Sequence, residues 1–347
     1  MPWPNQQAIT EGVVQMLRVN MGLQDGERLL VATDLPRPED WAARPPAELE
    51  DMLERALLAR LVADIARERF RTPVSFLAFP ATGGHGREPD TATAARLREA
   101  DVLIALTSYS LSHTNAREGA TQAGVRIASM PSFEAQMLEA NGPMAVDYRQ
   151  VAADCRRFAD LISAAQEAIV RTPFGTDLRF SLAGRPGQTD DGLYTARGLW
   201  GNLPAGETYA VPVEGTGEGV LVAPNGWYPG LDKDLIFRLE QGLVVEVRGG
   251  GAVGDEFRAQ LALDAADPAA RARRNLAELG IGTNPNARRP DNVLEAEKIK
   301  GTVHIAIGDN LHMGGAVEAD LHEDFVQPQA TLILDGRAVI LDGQWQI

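Results

Sequence analysis

Side chains able to ligate a metal cluster near the C-terminus. Of five histidines, three (His304, His312 and His322) fall between positions 304 and 322, whereas His85 and His113 lie far upstream. His322 and Asp324 form an H-x-D pair in DLHEDFV (320–326). In an extended segment alternate side chains share a face, so this imidazole and carboxylate point the same way and make half of a metal site. The competing reading is an exposed polar strand end. His304 lies in GTVHIAIG (301–308). There Val303, Ile305 and Ile307 make one apolar face, and His304 points to the other beside the small Ala306 and Gly308. That face has room for an ion, or for a hydrogen-bonded core histidine. Glu278 lies in NLAELGIGTNP (275–285) and Glu207 in NLPAGETYAVPVEG (202–215). A buried glutamate is costly unless paired or metal-bound. Surface roles at a helix end and a strand rim are the alternatives.

The elements that must position these residues divide the chain in two. Short apolar runs at 28–33, 74–79, 101–106 and 125–130 read as buried strands, and 47–69, 90–99 and 113–123 read as helices. Such alternation predicts an α/β N-terminal domain with a mostly parallel sheet. A long helix is predicted over 147–169. Beyond it the texture turns glycine-rich, with hairpins around Gln241-Gly242 and Asp335-Gly336 and helices at 253–265 and 268–279. Glu278 falls at the end of the last helix, with Gly280 as its stop. The expected division is a Rossmann-like α/β domain over 1–170 and a β-rich α+β metal-binding domain over 171–347.

Composition removes several functions. The single cysteine, Cys155, excludes an intrachain disulfide and a cysteine-rich zinc site. A formal net charge of −15 disfavours nucleic-acid binding. No apolar run is long enough to span a bilayer. The N-terminus lacks the pattern of a secretory signal, so a cytoplasmic location is expected. Neither G-x-G-x-x-G nor a P-loop is present; TGGHG (82–86) matches neither, so the first domain carries no nucleotide fingerprint.

Taken in order, NLPAGETYAVPVEG, AELGIGTNP, GTVHIAIG and the terminal H-x-D resemble the aminopeptidase T family of metallo-aminopeptidases. TPFGTDLRFSLAGR (172–185) resembles the start of that family's catalytic domain. SLSHTNAREGATQAGVRIASMP (110–131) resembles its short bacterial and archaeal leucyl aminopeptidase-like members. The resemblance spans roughly 100–347. It implies a homodimeric hydrolase with two divalent ions (zinc, cobalt, manganese or magnesium) held by Glu207, Glu278, His304, His322 and Asp324. A metal-activated water would then remove an N-terminal amino acid or cleave a small amide. One position departs from the family: where the peptidases carry a tyrosine, seven residues after His304, this chain has Leu311 and then His312. His312 is the candidate catalytic replacement, a loop-surface role being the alternative. Asp309, Glu214 and Glu218 are nearby candidates for a general base.

The 2,5-dihydroxypyridine dioxygenases are similar to these peptidases in fold. That resemblance implies a single iron(II) on two histidines and an aspartate, with a histidine near position 278. Glutamate there favours the hydrolase branch. A non-catalytic, peptide-binding relative is a third reading, against which the five intact ligand positions argue.

Overall fold

The apolar runs of the first half do form strands. A computed structural model of the chain, which describes residues 4–347, pairs them side by side in one parallel sheet. The order is Val74–Pro80, Leu29–Leu35, Val102–Thr107, Arg126–Pro131 and Trp200–Asn202. Leu30, Ala32, Leu103, Ala105 and Ile127 are buried in its core. The helix Pro46–Arg69 buries Met52, Ala56, Ala59, Ala63 and Ala66, while Leu53, Leu57 and Leu61 are half-buried. Leu49 and Ile65 at the two ends of that run are buried, and the three leucines between them lie at the edge of the buried face. Among the described residues this unit comprises 4–149 with Gly192–Ala205.

The second unit comprises Gln150–Asp191 and Gly206–Ile347, so the contacts divide the chain at Arg149 rather than near 170. The helix Tyr148–Ala164 ends earlier than expected. Glu167–Arg171 is a strand, because its apolar Ala168, Ile169 and Val170 pair between Asp177–Ser181 and Thr331–Leu334. These strands belong to an eight-stranded sheet that includes both expected hairpins. Their turns place Gln241 and Gly242, then Asp335 and Gly336, at positive φ, as two-residue hairpin loops require.

A five-stranded antiparallel sheet carries the candidate ligands. Its order is His322–Gln327, Val303–Gly308, Leu276–Gly282, Glu207–Ala210 and Gln188–Asp190. The expected helix over 268–279 is a short helix, Pro268–Ala272, followed by the fully buried strand Leu276–Gly282. Gly280 and Gly282 weaken a helix, and the strand pairs on both edges. One face of the sheet buries Leu279, Ile281, Val303, Ile305, Ile307 and Phe325 in the core. Among the described residues no helix is long and apolar enough to cross a membrane.

Candidate metal centre

The sheet register puts every predicted ligand on one face. Gly280 pairs with His304, Glu278 with Ala306, Ala306 with Asp324, Gly308 with His322, and Gly282 with Glu207. Alternation along each strand therefore gathers Glu207, Glu278, His304, His322 and Asp324 over a floor of Gly280, Gly282, Ala306 and Gly308. The opposite face is the apolar core, which fixes the register: a one-residue slip would exchange ligands for leucines and isoleucines. A β-bulge lies between Leu276 and Glu278, immediately before the central glutamate. Gly280 leaves room for the His304 ring, since a Cβ there would lie 1.8 Å from His304 Nε2.

Glu278 is the hub. Its Oε1 lies 3.3 Å from His304 Nε2 and its Oε2 lies 3.2 Å from His322 Nε2. Glu207 Oε2 is 3.5 Å from His304 Nε2, and Asp324 Oδ1 is 3.8 Å from His322 Nε2. Two groups result, Glu207–Glu278–His304 and Glu278–His322–Asp324, each with ligand atoms within 4.8 Å of one another. They share the central carboxylate. Glu207 Oε2, His304 Nδ1 and Asp324 Oδ1 are buried without a hydrogen-bond partner. Buried orphan acceptors and converging imidazoles are what a metal ion would satisfy. The donor set of imidazole and carboxylate, without thiolate, suits a borderline or hard divalent metal. The two groups differ in access: His304 is 1% exposed, but the side chains of His322 and Asp324 are 27% and 16% exposed.

The electrostatics show a cluster built for positive charge. Burial alone would raise Glu278, but hydrogen bonds from His304 and His322 hold it far below the usual carboxylate range. Burial opposes charge on both histidines, yet the carboxylates win: His304 is raised to about 9, mainly by Glu278, and His322 to about 10, by Asp324 and Glu278. Burial lifts Asp324 to about 6. Glu207 is also raised by burial, against the pull of Lys298.

His322 is oriented by a backbone carbonyl: its Nδ1 lies 2.7 Å from the oxygen of Asp309, leaving Nε2 to face Glu278. His312 lies outside the cluster, on the 3-10 turn Leu311–Met313, half-exposed, with Nδ1 3.1 Å from Asp309 Oδ1. Asp309 thus touches both histidines. Glu214 is held by Arg185, Asn310 and the Ala316 amide, and Glu218 accepts from the Gln241 amide, so both carboxylates serve the local structure. His85 accepts from the Ser110 amide, and His113 packs edge-on against Trp200; both belong to the other unit.

Three neighbours of the cluster were not singled out in the sequence. Lys298 is completely buried, with Nζ 2.6 Å from Glu207 Oε1, 2.8 Å from Glu297 Oε1 and 3.7 Å from Asp190 Oδ2. The available signal was EAEK (295–298), separated from GTVH (301–304) by Ile299 and Lys300, in a chain whose only lysines are Lys233, Lys298 and Lys300.

Comparison with known proteins fixes the family that this geometry serves. Residues 54–347 match the model of the NicX family, 2,5-dihydroxypyridine 5,6-dioxygenase. A 2,5-dihydroxypyridine 5,6-dioxygenase of Pseudomonas putida KT2440 is 25% identical over 268 residues, 71% of each chain. The solved 2,5-dihydroxypyridine dioxygenase structure from the same strain superposes with a TM-score of 0.74 at 18% identity, over 98% of this chain and 97% of that one. AmpT from Thermus thermophilus superposes with a TM-score of 0.66, also at 18% identity, over 99% and 100%. The expectation of an aminopeptidase-like metalloprotease, and of hydrolysis in general, is therefore corrected: the match over 54–347 is to a dioxygenase family, and the likeness to AmpT is one of fold. Both likenesses are to chains of this fold, and motifs that follow the fold do not separate the two chemistries.

Proposed function

We propose, from the premise that the chain belongs to the NicX family of 2,5-dihydroxypyridine 5,6-dioxygenases, that it is a metal-dependent dioxygenase opening the ring of a hydroxylated pyridine. The observation that carries this reading is that the matched segment contains the whole one-faced cluster of Glu207, Glu278, His304, His322 and Asp324. Iron(II) is the proposed metal; bound there, it supplies a redox-active centre at which dioxygen and an electron-rich hydroxylated ring meet.

The chain's own residues do the rest. The carboxylates supply the negative charge that holds a divalent ion, and the carbonyl of Asp309 keeps His322 Nε2 directed inward. Substrate enters on the His322–Asp324 side, the more exposed half. His312, tethered to Asp309, is the proposed carrier of the proton that leaves the ring hydroxyl.

The test is oxygen uptake by anaerobically iron-loaded protein given 2,5-dihydroxypyridine and its mono- and dihydroxylated analogues. Uptake matched by loss of the aromatic absorbance is expected, and His322→Ala should abolish both. A fully loaded protein that consumes no oxygen with any of these rings would overturn the proposal.

A further inference from the structure

We propose that Tyr209 is a substrate-recognition residue of the ligand face: its hydroxyl donates a hydrogen bond to a second oxygen on the bound ring, so the protein selects rings that carry two. The inference rests on the reading of the protein as a dioxygenase of hydroxylated pyridines.

Tyr209 stands two residues after Glu207 on the strand Glu207–Ala210, and period two turns both side chains to the same face. Across one edge of that strand Tyr209 pairs with Gly280, which in turn pairs with His304; across the other edge it pairs with Gln188. His304, Gly280, Tyr209 and Gln188 therefore form one row across the ligand face. A Cβ on Gly280 would lie 1.8 Å from His304 Nε2, so the imidazole leans over the glycine toward the strand that carries the phenol. His322 and Asp324 lie beyond His304, on the strand at the opposite edge of the sheet. A ring admitted from their side meets Tyr209 with its far end.

The hydroxyl is in the right surroundings and is uncommitted. Burial, and then the charges of Asp190, Glu278 and Glu207, raise its pKa, which puts it among the carboxylates of the centre. A buried tyrosine hydroxyl ordinarily finds a partner: Tyr194 donates to the Asn202 carbonyl and Tyr228 to Glu323. The Tyr209 hydroxyl has no hydrogen-bond partner among the described residues, and its side chain is half-buried rather than sealed off. Its neighbour Gln188 is already occupied, with Nε2 2.7 Å from the Met313 carbonyl. That bond also pins the turn bearing His312 to the strand beside Tyr209.

The chemistry asks for a donor at this point. The centre is lined by carboxylates, which repel a ring oxygen that has lost its proton. The Lys298 ammonium cannot serve, because it is completely buried within Glu207, Glu297 and Asp190. The nearby Nε2 atoms of His304 and His322 face Glu278. A phenol of ordinary pKa, about 10, keeps its proton at neutral pH, so the role needs no shift. A hydrogen bond to a charged oxygen is the stronger kind, and a ring without that oxygen forfeits it.

The test is anaerobic titration of iron-loaded protein with 2,5-dihydroxypyridine, 2-hydroxypyridine and 3-hydroxypyridine, followed by the ring absorbance, for wild type and Tyr209→Phe. Wild type should bind the dihydroxylated ring at least about tenfold more tightly than either monohydroxylated ring, the scale of one hydrogen bond to a charged group. Tyr209→Phe should keep its iron, lose that preference, and bind at least one monohydroxylated ring as wild type does. No preference in wild type, a preference kept in Tyr209→Phe, or iron lost from the folded variant would overturn the role of Tyr209 while leaving the dioxygenase reading standing. A loaded wild type that binds none of the three rings would overturn that reading as well.

Discussion

At the scale of single residues, Glu278 decides whether the centre exists. Both histidines rest on it, so Glu278→Gln should weaken metal binding at least about 100-fold, measured by calorimetric titration. Unchanged affinity would remove it from the ligand set. The histidines also set a pH dependence. Without metal, His304 and His322 hold their protons up to about 9 and 10, because the carboxylates beside them outweigh burial. Each Nε2 must lose its proton before it can bind an ion. Apparent affinity should therefore rise with pH until both imidazoles have lost their protons, at about 10, with protons released into weakly buffered solution on binding. A flat profile would mean that these imidazoles are not ligands. The sequence pattern puts the same carboxylate at a helix end, whereas it stands on a strand. Local pattern showed an acid beside glycines; it could not show that Leu276–Gly282 is a central strand, because pairing on both edges is a property of the sheet.

At the scale of elements, the ligand strands are held by what lies beneath them. The strand His322–Gln327 presents His322 and Asp324 on one face and Phe325 on the other, packed among Tyr228, Phe237 and Phe257. Phe325→Ala should cost about 3–5 kcal/mol of stability, by denaturant titration, and loosen metal binding with it. A full stability loss with wild-type affinity would show that the strand keeps its place without the aromatic cluster. Gly280→Ala tests the neighbouring strand: the added methyl has to displace His304, so metal binding should fall even where the protein still folds. The alternation of GTVHIAIG and the H-x-D spacing were legible in the sequence, because period two alone puts His304, His322 and Asp324 on the polar face. Lys298 was not, since a single lysine carries no periodicity and its three carboxylate partners come from distant segments.

At the scale of the whole molecule, the fold class followed from strand–helix alternation giving way to hairpins, but the chemistry did not follow from the fold. The same fold is compatible with hydrolysis or with oxygen chemistry, and the family match rather than the motifs separated them. The net charge of −15 acts at this scale as well. It draws cations toward the protein over a distance that salt shortens, so the association rate for the metal should fall severalfold from about 0.01 M to 0.5 M salt. A salt-independent rate would confine the attraction to the cluster. One further consequence comes from the ligands sitting on paired strands instead of loops. Such a frame cannot reshape itself around whichever ion arrives, so it has little means of rejecting a wrong one by geometry. First-row metals then rank by their intrinsic affinities, with copper and zinc ahead of iron(II). If the proposed centre is the site of reaction, the protein is open to mismetallation: what it carries would reflect the ions available while it folds, and a preparation filled with zinc is expected to be intact, stable and silent toward oxygen.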